Sequence, residues 1–179
     1  APEGFVLETV ARLAERSMVV VEPGSPTRYR MLETLRQYAA ERLAETGEHV
    51  VVAARHARYF HDQVLAAELA LRGHGQREAL TRLRQEQPNV RAALTWLSGP
   101  DGDVDQALEM AGSLALFWHL GRHLEGRDVL QRLLALGGSE EARARAMQAV
   151  SIVERPRGCL VHPSPLCAET ALESLSVFE

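Results

Sequence analysis

Apolar side chains recur every three or four residues along most of this chain, and glycines interrupt the recurrence. Gly47, Gly73, Gly99, Gly121 and Gly137 each follow a helically patterned run, where a left-handed closing residue is sterically easy. The first run, 5–16, places Val6, Val10 and Leu13 on one face. The pattern then changes: Ser17–Glu22 is rich in Val, Pro23-Gly24-Ser25-Pro26 reads as a turn, and Thr27–Leu32 alternates Tyr29 and Met31 with Arg28 and Arg30. That predicts a β-hairpin over 17–32 between two helices. A helix over 33–46 follows, with Leu35, Tyr38, Ala39 and Leu43 in register. From Glu48 to Leu71 the beat of Val50, Ala54, Ala57, Phe60, Val64, Ala67 and Leu71 predicts the longest helix.

Two shorter helices are expected next, over 77–85 with Leu80 and Leu83, and over 88–97 with Pro88 in its first turn. Asp103 and Gln106 form a capping-box signature ahead of one helix carrying Val104, Ala107, Leu108, Ala111, Leu114, Ala115 and Trp118. Its partner spans 122–136. Ser139, with Glu140 and Glu141 behind it, caps a helix through Val153. Residues 154–164, with Pro156, Gly158 and Pro163, read as a loop, and Ser164-Pro165 opens a last helix.

The length, 179 residues, suits one large or two small domains burying roughly 70% of the unfolded surface. With 46% hydrophobic and 25% charged residues the composition is that of a soluble globular chain, and no apolar run approaches the ~18 residues of a membrane span. A net charge of −4 disfavours nucleic-acid binding through bulk positive charge. All 20 basic residues are Arg, which together with a single Ile (Ile152) and a single Asn (Asn89) reads as GC-rich coding bias. Only residues 48–100 are net basic, with seven Arg against five acids. The chain opens on Ala1-Pro2-Glu3, without Met or an apolar signal core, and reads as a cytoplasmic piece of something longer.

Reactive chemistry is sparse. Cys159, His162 and Cys167 offer soft ligands within nine residues, but no fourth ligand lies nearby, so they read as reduced thiols and no metal is expected. Gly121 separates His119 from His123, and His56 and His61 fall on different faces of one helix. No nucleophile elbow, His-Glu-x-x-His pair or dinucleotide loop is present, and no enzyme is expected. Five arginines between Arg72 and Arg91, interrupted by Glu78 and Glu86, read as a solvated face. Trp96, Phe117 and Trp118 sit at the helical spacing of core residues; the alternative is a partner groove formed by Trp118, His119 and Arg122.

Two segments carry a family resemblance. VARLAERSMVVVEPGSPTRYRMLETLRQYAAERL, residues 10–43, resembles the end of the winged-helix domain that follows the nucleotide-binding core of STAND-type signalling ATPases, in particular actinobacterial LuxR-type and cyclase-linked regulators. Residues 55–97, with RHARYFHD and ALTRLRQEQPNVRAALTWL, resemble the helical segment that follows in those proteins. The pair 105–136 is similar to a tetratricopeptide hairpin at Leu114, Phe117, Gly121, Gly126 and Leu130, departing at Leu133; a second, irregular pair can be laid on 140–178 with Ala168, Leu172 and Leu175. The resemblance implies that Met31-Leu32-Glu33 occupies the place of a Met-His-Asp nucleotide sensor. Leu32 cannot donate a hydrogen bond to phosphate, and a chain without Lys has no phosphate-cradling loop, so no nucleotide or other cofactor is expected.

The fold expected is mainly α: a winged-helix remnant (1–47) with its hairpin, a helical linker segment (48–100), and stacked antiparallel tetratricopeptide-like helix pairs (101–179) forming a right-handed array. The function expected is that of a non-catalytic module of a signalling regulator, which holds a protein partner or effector and communicates with the parent ATPase domain; its open end is expected either to make homo-oligomers or to be poorly ordered. The alternative is a DNA-binding winged-helix fragment touching phosphate through Arg28 and Arg30 on the wing.

Overall fold

The computed structural model describes residues 3–24 and 27–155, the side chains of Glu3 and His123 excepted. The chain is mainly α, with one two-stranded hairpin near its start. Its elements are α1 (Glu3–Glu15), β1 (Val19–Glu22), β2 (Arg28–Met31), α2 (Glu33–Glu45), α3 (His49–Leu71), α4 (Gln76–Leu97), α5 (Val104–Ser113), α6 (Ala115–Gly121), α7 (His123–Leu136) and α8 (Glu140–Val153). Two compact units divide it, one over residues 1–51 and a second from Val52 onward.

In the first unit α1 ends where Ser17 turns left-handed at φ 57°, and Met18 donates its N–H back to Leu13 at 2.9 Å. β1 and β2 pair antiparallel, Val19 opposite Met31 and Glu22 opposite Arg28, which is the predicted hairpin. No described side chain of this unit is buried. Phe5, Val6, Leu7, Tyr29 and Tyr38 are each half or more exposed, so the apolar periodicity that forms the helices finds little to pack against within the unit.

The second unit holds the core: Ala57 and Val64 of α3, Leu83, Val90, Ala93, Leu94 and Leu97 of α4, Ala107, Leu108, Met110 and Ala111 of α5, Phe117 and Trp118 of α6, Leu130 and Leu133 of α7, and Ala146, Ala149 and Val153 of α8. α8 packs on α5, α6 and α7, and α7 also on α5 and α6. The predicted caps are in place. Asp103 Oδ1 accepts from the N–H groups of Asp105 (3.0 Å) and Gln106 (3.3 Å), and Ser139 Oγ accepts from Ala142 N–H at 3.3 Å. Gln106 returns its side chain to Asp103 Oδ2 at 2.9 Å instead of to the backbone.

Several boundaries differ from the sequence reading. α4 is one helix running through Pro88, not two. Leu83, Val90, Leu94 and Leu97 stay in a single helical register across it, and Pro88 lies on the exposed side, where water can satisfy the carbonyl that loses its donor. Conversely, the single helix expected after Asp103 is broken at Leu114 into α5 and α6. Ser113 Oγ bonds the Glu109 carbonyl at 3.1 Å beside Gly112, a pair that favours a bend. Of the glycines expected to close helices left-handed, Gly47 (φ 72°) and Gly137 (φ 100°) do so; Gly73, Gly99 and Gly121 do not. The last predicted helix, and its loop from residue 156 on, lie outside the described residues.

Gly126 of α7 faces Trp118 so closely that a Cβ there would lie 2.5 Å from Trp118 Cβ and Cγ. Gly126→Ala should therefore destabilise the second unit by about 1–3 kcal/mol through overpacking, read as a lower urea midpoint at unchanged slope. Amide hydrogen exchange should divide the chain in the same terms: α1, the hairpin and α2 exchange orders of magnitude faster than α5 and α8, because opening them exposes almost no buried apolar surface.

Candidate functional site

α3 and α4 form a hairpin closed by a tight turn, in which the Gly73 N–H reaches Ala70 O at 3.2 Å and Gln76 Nε2 caps the Leu71 carbonyl at 2.8 Å. Side chains that line the space next to the turn are small, Ala66, Ala67 and Ala70 on α3 and Ala79 on α4, and cannot fill the angle between the helices. A groove of 380 Å³ results, with Phe60, Val64, Leu83 and Val90 also in its walls. Tyr59 and Phe60 stand edge to face at its far end, centroids 5.1 Å apart, with His56 4.7 Å from Phe60. Its charged lining comes from one face of α4: Glu78, Arg82 and Glu86, one turn apart. The Arg82 guanidinium reaches across to the Gln63 amide oxygen, and Glu86 accepts from Asn89 Nδ2 at 2.7 Å.

Two polar clusters hold these helices to the rest of the unit. Arg145 of α8 donates to Glu109 of α5 (3.1 Å), to Ser113 (3.0 Å) and to Glu68 of α3 (2.9 Å). Glu109 also meets His61 Nε2 at 3.1 Å, and Glu68 takes a second guanidinium from Arg72 at 2.9 Å. On α7, Glu125 receives Arg91 of α4 at 2.6 Å, Gln87 at 3.2 Å and Arg122 at 3.1 Å. Partial burial pushes the Glu125 carboxyl up, but the hydrogen bonds and charges of Arg91 and Arg122 outweigh that and hold it below the usual glutamate range.

The residues singled out from sequence fall elsewhere. Trp118 and His119, at 3% and 4% exposure, are core side chains; with exposed Arg122 turned to Glu125 they form no open partner groove. Helical spacing alone does not distinguish a core aromatic from one lining a groove. What remains beside Trp118 is a 20 Å³ crevice shared with Leu94, Phe117 and Glu125. Met31 ends β2, Leu32 is the extended residue before α2, and Glu33 opens α2 paired with Arg36 at 2.5 Å, which lowers its carboxyl below the ordinary value. Arg30 is paired with Glu22 at 3.0 Å, and Arg28 stands opposite the same Glu22. His56 and His61 do diverge, His61 being buried and His56 half-buried. Cys159, His162 and Cys167 lie outside the described residues. The α3–α4 groove and the Arg145 cluster were not read from the sequence; the alanines that follow Phe60 along α3 are the signal that points to the groove.

In an alignment 151 positions long that covers 79% of its length, the chain is 38% identical to each of three mycobacterial proteins, two from strains of Mycobacterium tuberculosis and one from Mycobacterium bovis. All three are named as candidate HTH-type transcriptional regulators. The matched region is 17% of each relative, so the chain spans about a sixth of their length. No family model matches it, and no solved structure does. Among the described residues no helix is long and apolar enough to cross a membrane.

Because the folded Glu125 titrates below its unfolded value, the stability it adds is complete above the ordinary glutamate pKa of about 4.3 and is lost as pH falls through the lower, folded value. Glu125→Gln should cost about 1–2 kcal/mol at pH 7, and the gap from wild type should close on acidification below about pH 4. Urea titrations of both proteins between pH 7 and pH 3 would measure it.

Proposed function

We propose that this chain is a non-catalytic interaction and signalling module of an HTH-type transcriptional regulator of the LuxR-like, STAND-ATPase kind. The similarity to the three mycobacterial regulators over four-fifths of the chain carries this reading. In it, residues 1–47 are the end of a winged helix and α5–α8 are tetratricopeptide-like pairs, whose shape recognises a protein or effector. The order of packing supports the second assignment, because α8 lies on both members of the preceding pair, α5–α6 and α7, as stacked hairpins require. Binding that favours one arrangement of this module would shift the regulator between resting and active states. No step of this role needs a nucleotide, a metal or a reactive side chain from the chain itself, and the reading places it in the cytoplasm.

Direct DNA reading by Arg28 and Arg30 is disfavoured by Glu22, which stands beside both on β1 and would compete with phosphate. Fluorescence anisotropy of the full chain with labelled duplex DNA between 50 and 200 mM salt separates the two readings. The interaction module should show no saturable binding at micromolar concentration. Binding that weakens steeply with salt, and is lost in Arg28→Ala/Arg30→Ala, would replace it with a DNA-binding role.

A further inference from the structure

We infer that the α3–α4 groove is a binding site for a lipophilic organic cation. This stands independently of the regulatory reading, since it rests on the groove's shape and charge alone. Its 380 Å³ lies within the ~300–1,000 Å³ typical of small-molecule pockets, and its floor of Val64, Ala67, Ala79 and Leu83 is apolar.

Shape selects a small molecule over a helix. One end of the groove lies against the α3–α4 turn, with Ala70 and Gly75 in its lining, and its middle is bridged by Arg82 bonding Gln63. A continuous peptide helix laid along it would need both obstacles removed.

Charge selects the sign of the ligand. Glu78, Arg82 and Glu86 give the lining a formal charge of −1. Arg82 turns to the neutral Gln63 amide; Glu78, and Glu86 with its bond from Asn89, place carboxylates on the wall one turn to either side. An anion would meet two like charges for one opposite. A cation meets two carboxylates and, at the far end, the rings of Tyr59 and Phe60, whose faces attract positive charge.

The test uses the full chain and two probes of the same shape and opposite charge, tetraphenylphosphonium and tetraphenylborate, by isothermal titration calorimetry. The phosphonium should bind with a micromolar Kd and the borate at least about ten-fold more weakly. Glu78→Gln/Glu86→Gln, a change at the groove's wall, should weaken the phosphonium by about ten-fold and narrow its advantage over the borate. Ala67→Leu, which fills the floor, should weaken both, with circular dichroism confirming the fold. Should that variant not fold, the wall variant decides alone. Equal or tighter borate binding, no phosphonium binding up to millimolar, or phosphonium binding indifferent to the wall variant would overturn the inference. So would an Ala67→Leu chain that folds, changes its oligomeric state and binds the phosphonium as before.

Discussion

α3 is tied to the helical stack by polar contacts that converge on Arg145 and Glu109. Arg145 reaches from α8 to carboxylates on two other helices and to the Ser113 hydroxyl at the bend between α5 and α6. Gly112 leaves room for its stem: a Cβ there would sit 3.2 Å from Arg145 Cγ, and the arginine would have to shift by a few tenths of an ångström. The partners come from far along the chain, so each bond fixes a long-range angle that local propensity leaves open. Their energies are modest, because Arg145 and Glu109 are more than a third exposed and such pairs contribute about 0–1 kcal/mol each. Burying Leu108, Leu114 or Leu130 contributes more, about 1.5–3 kcal/mol apiece. The core supplies the stability of the second unit, and the arginine selects the arrangement in which that core is realised.

Residues 1–51 show what happens without such closure. Helix and hairpin form there with the expected register, yet Phe5, Leu7, Tyr29 and Tyr38 remain more than half exposed. Secondary structure in this unit is held by local bonds: the Met18–Leu13 backbone bond, the Glu33–Arg36 pair and the strand ladder. Exposed pairs of that kind do not replace a buried face, which is why the two units differ in expected protection although their helices follow the same periodicity.

What could be read in the sequence was whatever a few neighbouring residues decide. Asp103 and Ser139 cap their helices because the donors they satisfy lie two or three positions away, and the Val-rich run and the alternating run after it mark the two strands that pair as the hairpin. Pro88 misled because the missing N–H is a local fact, whereas the continuous register of Val90, Leu94 and Leu97 against the rest of the core is a tertiary one, and the tertiary term prevails. The bend at Leu114 was hidden for the same reason: Ser113 is held at once by Glu109 of its own helix and by Arg145 of another. Trp118 and His119 were read as a possible surface because helical spacing places a residue on a face but does not say what covers that face. Here α7 covers it, and Gly126 permits the approach.

The groove follows from the way its two walls are anchored. α3 is tied through Glu68 and His61 to Arg145 and Glu109, on α8 and α5. α4 is tied through Arg91 and Gln87 to Glu125, on α7, and through Leu94 and Leu97 to the apolar core. The helices meet at their shared turn and are then held by different partners, so collapse of one onto the other would break polar contacts on both sides. Alanines on the facing surfaces have no length to span the gap, and the single Gln63–Arg82 bridge is too slight to close it. A hairpin whose arms belong to separate anchors keeps space between them without strain in either helix, and that space is a consequence of the same charge pairs that fix the stack.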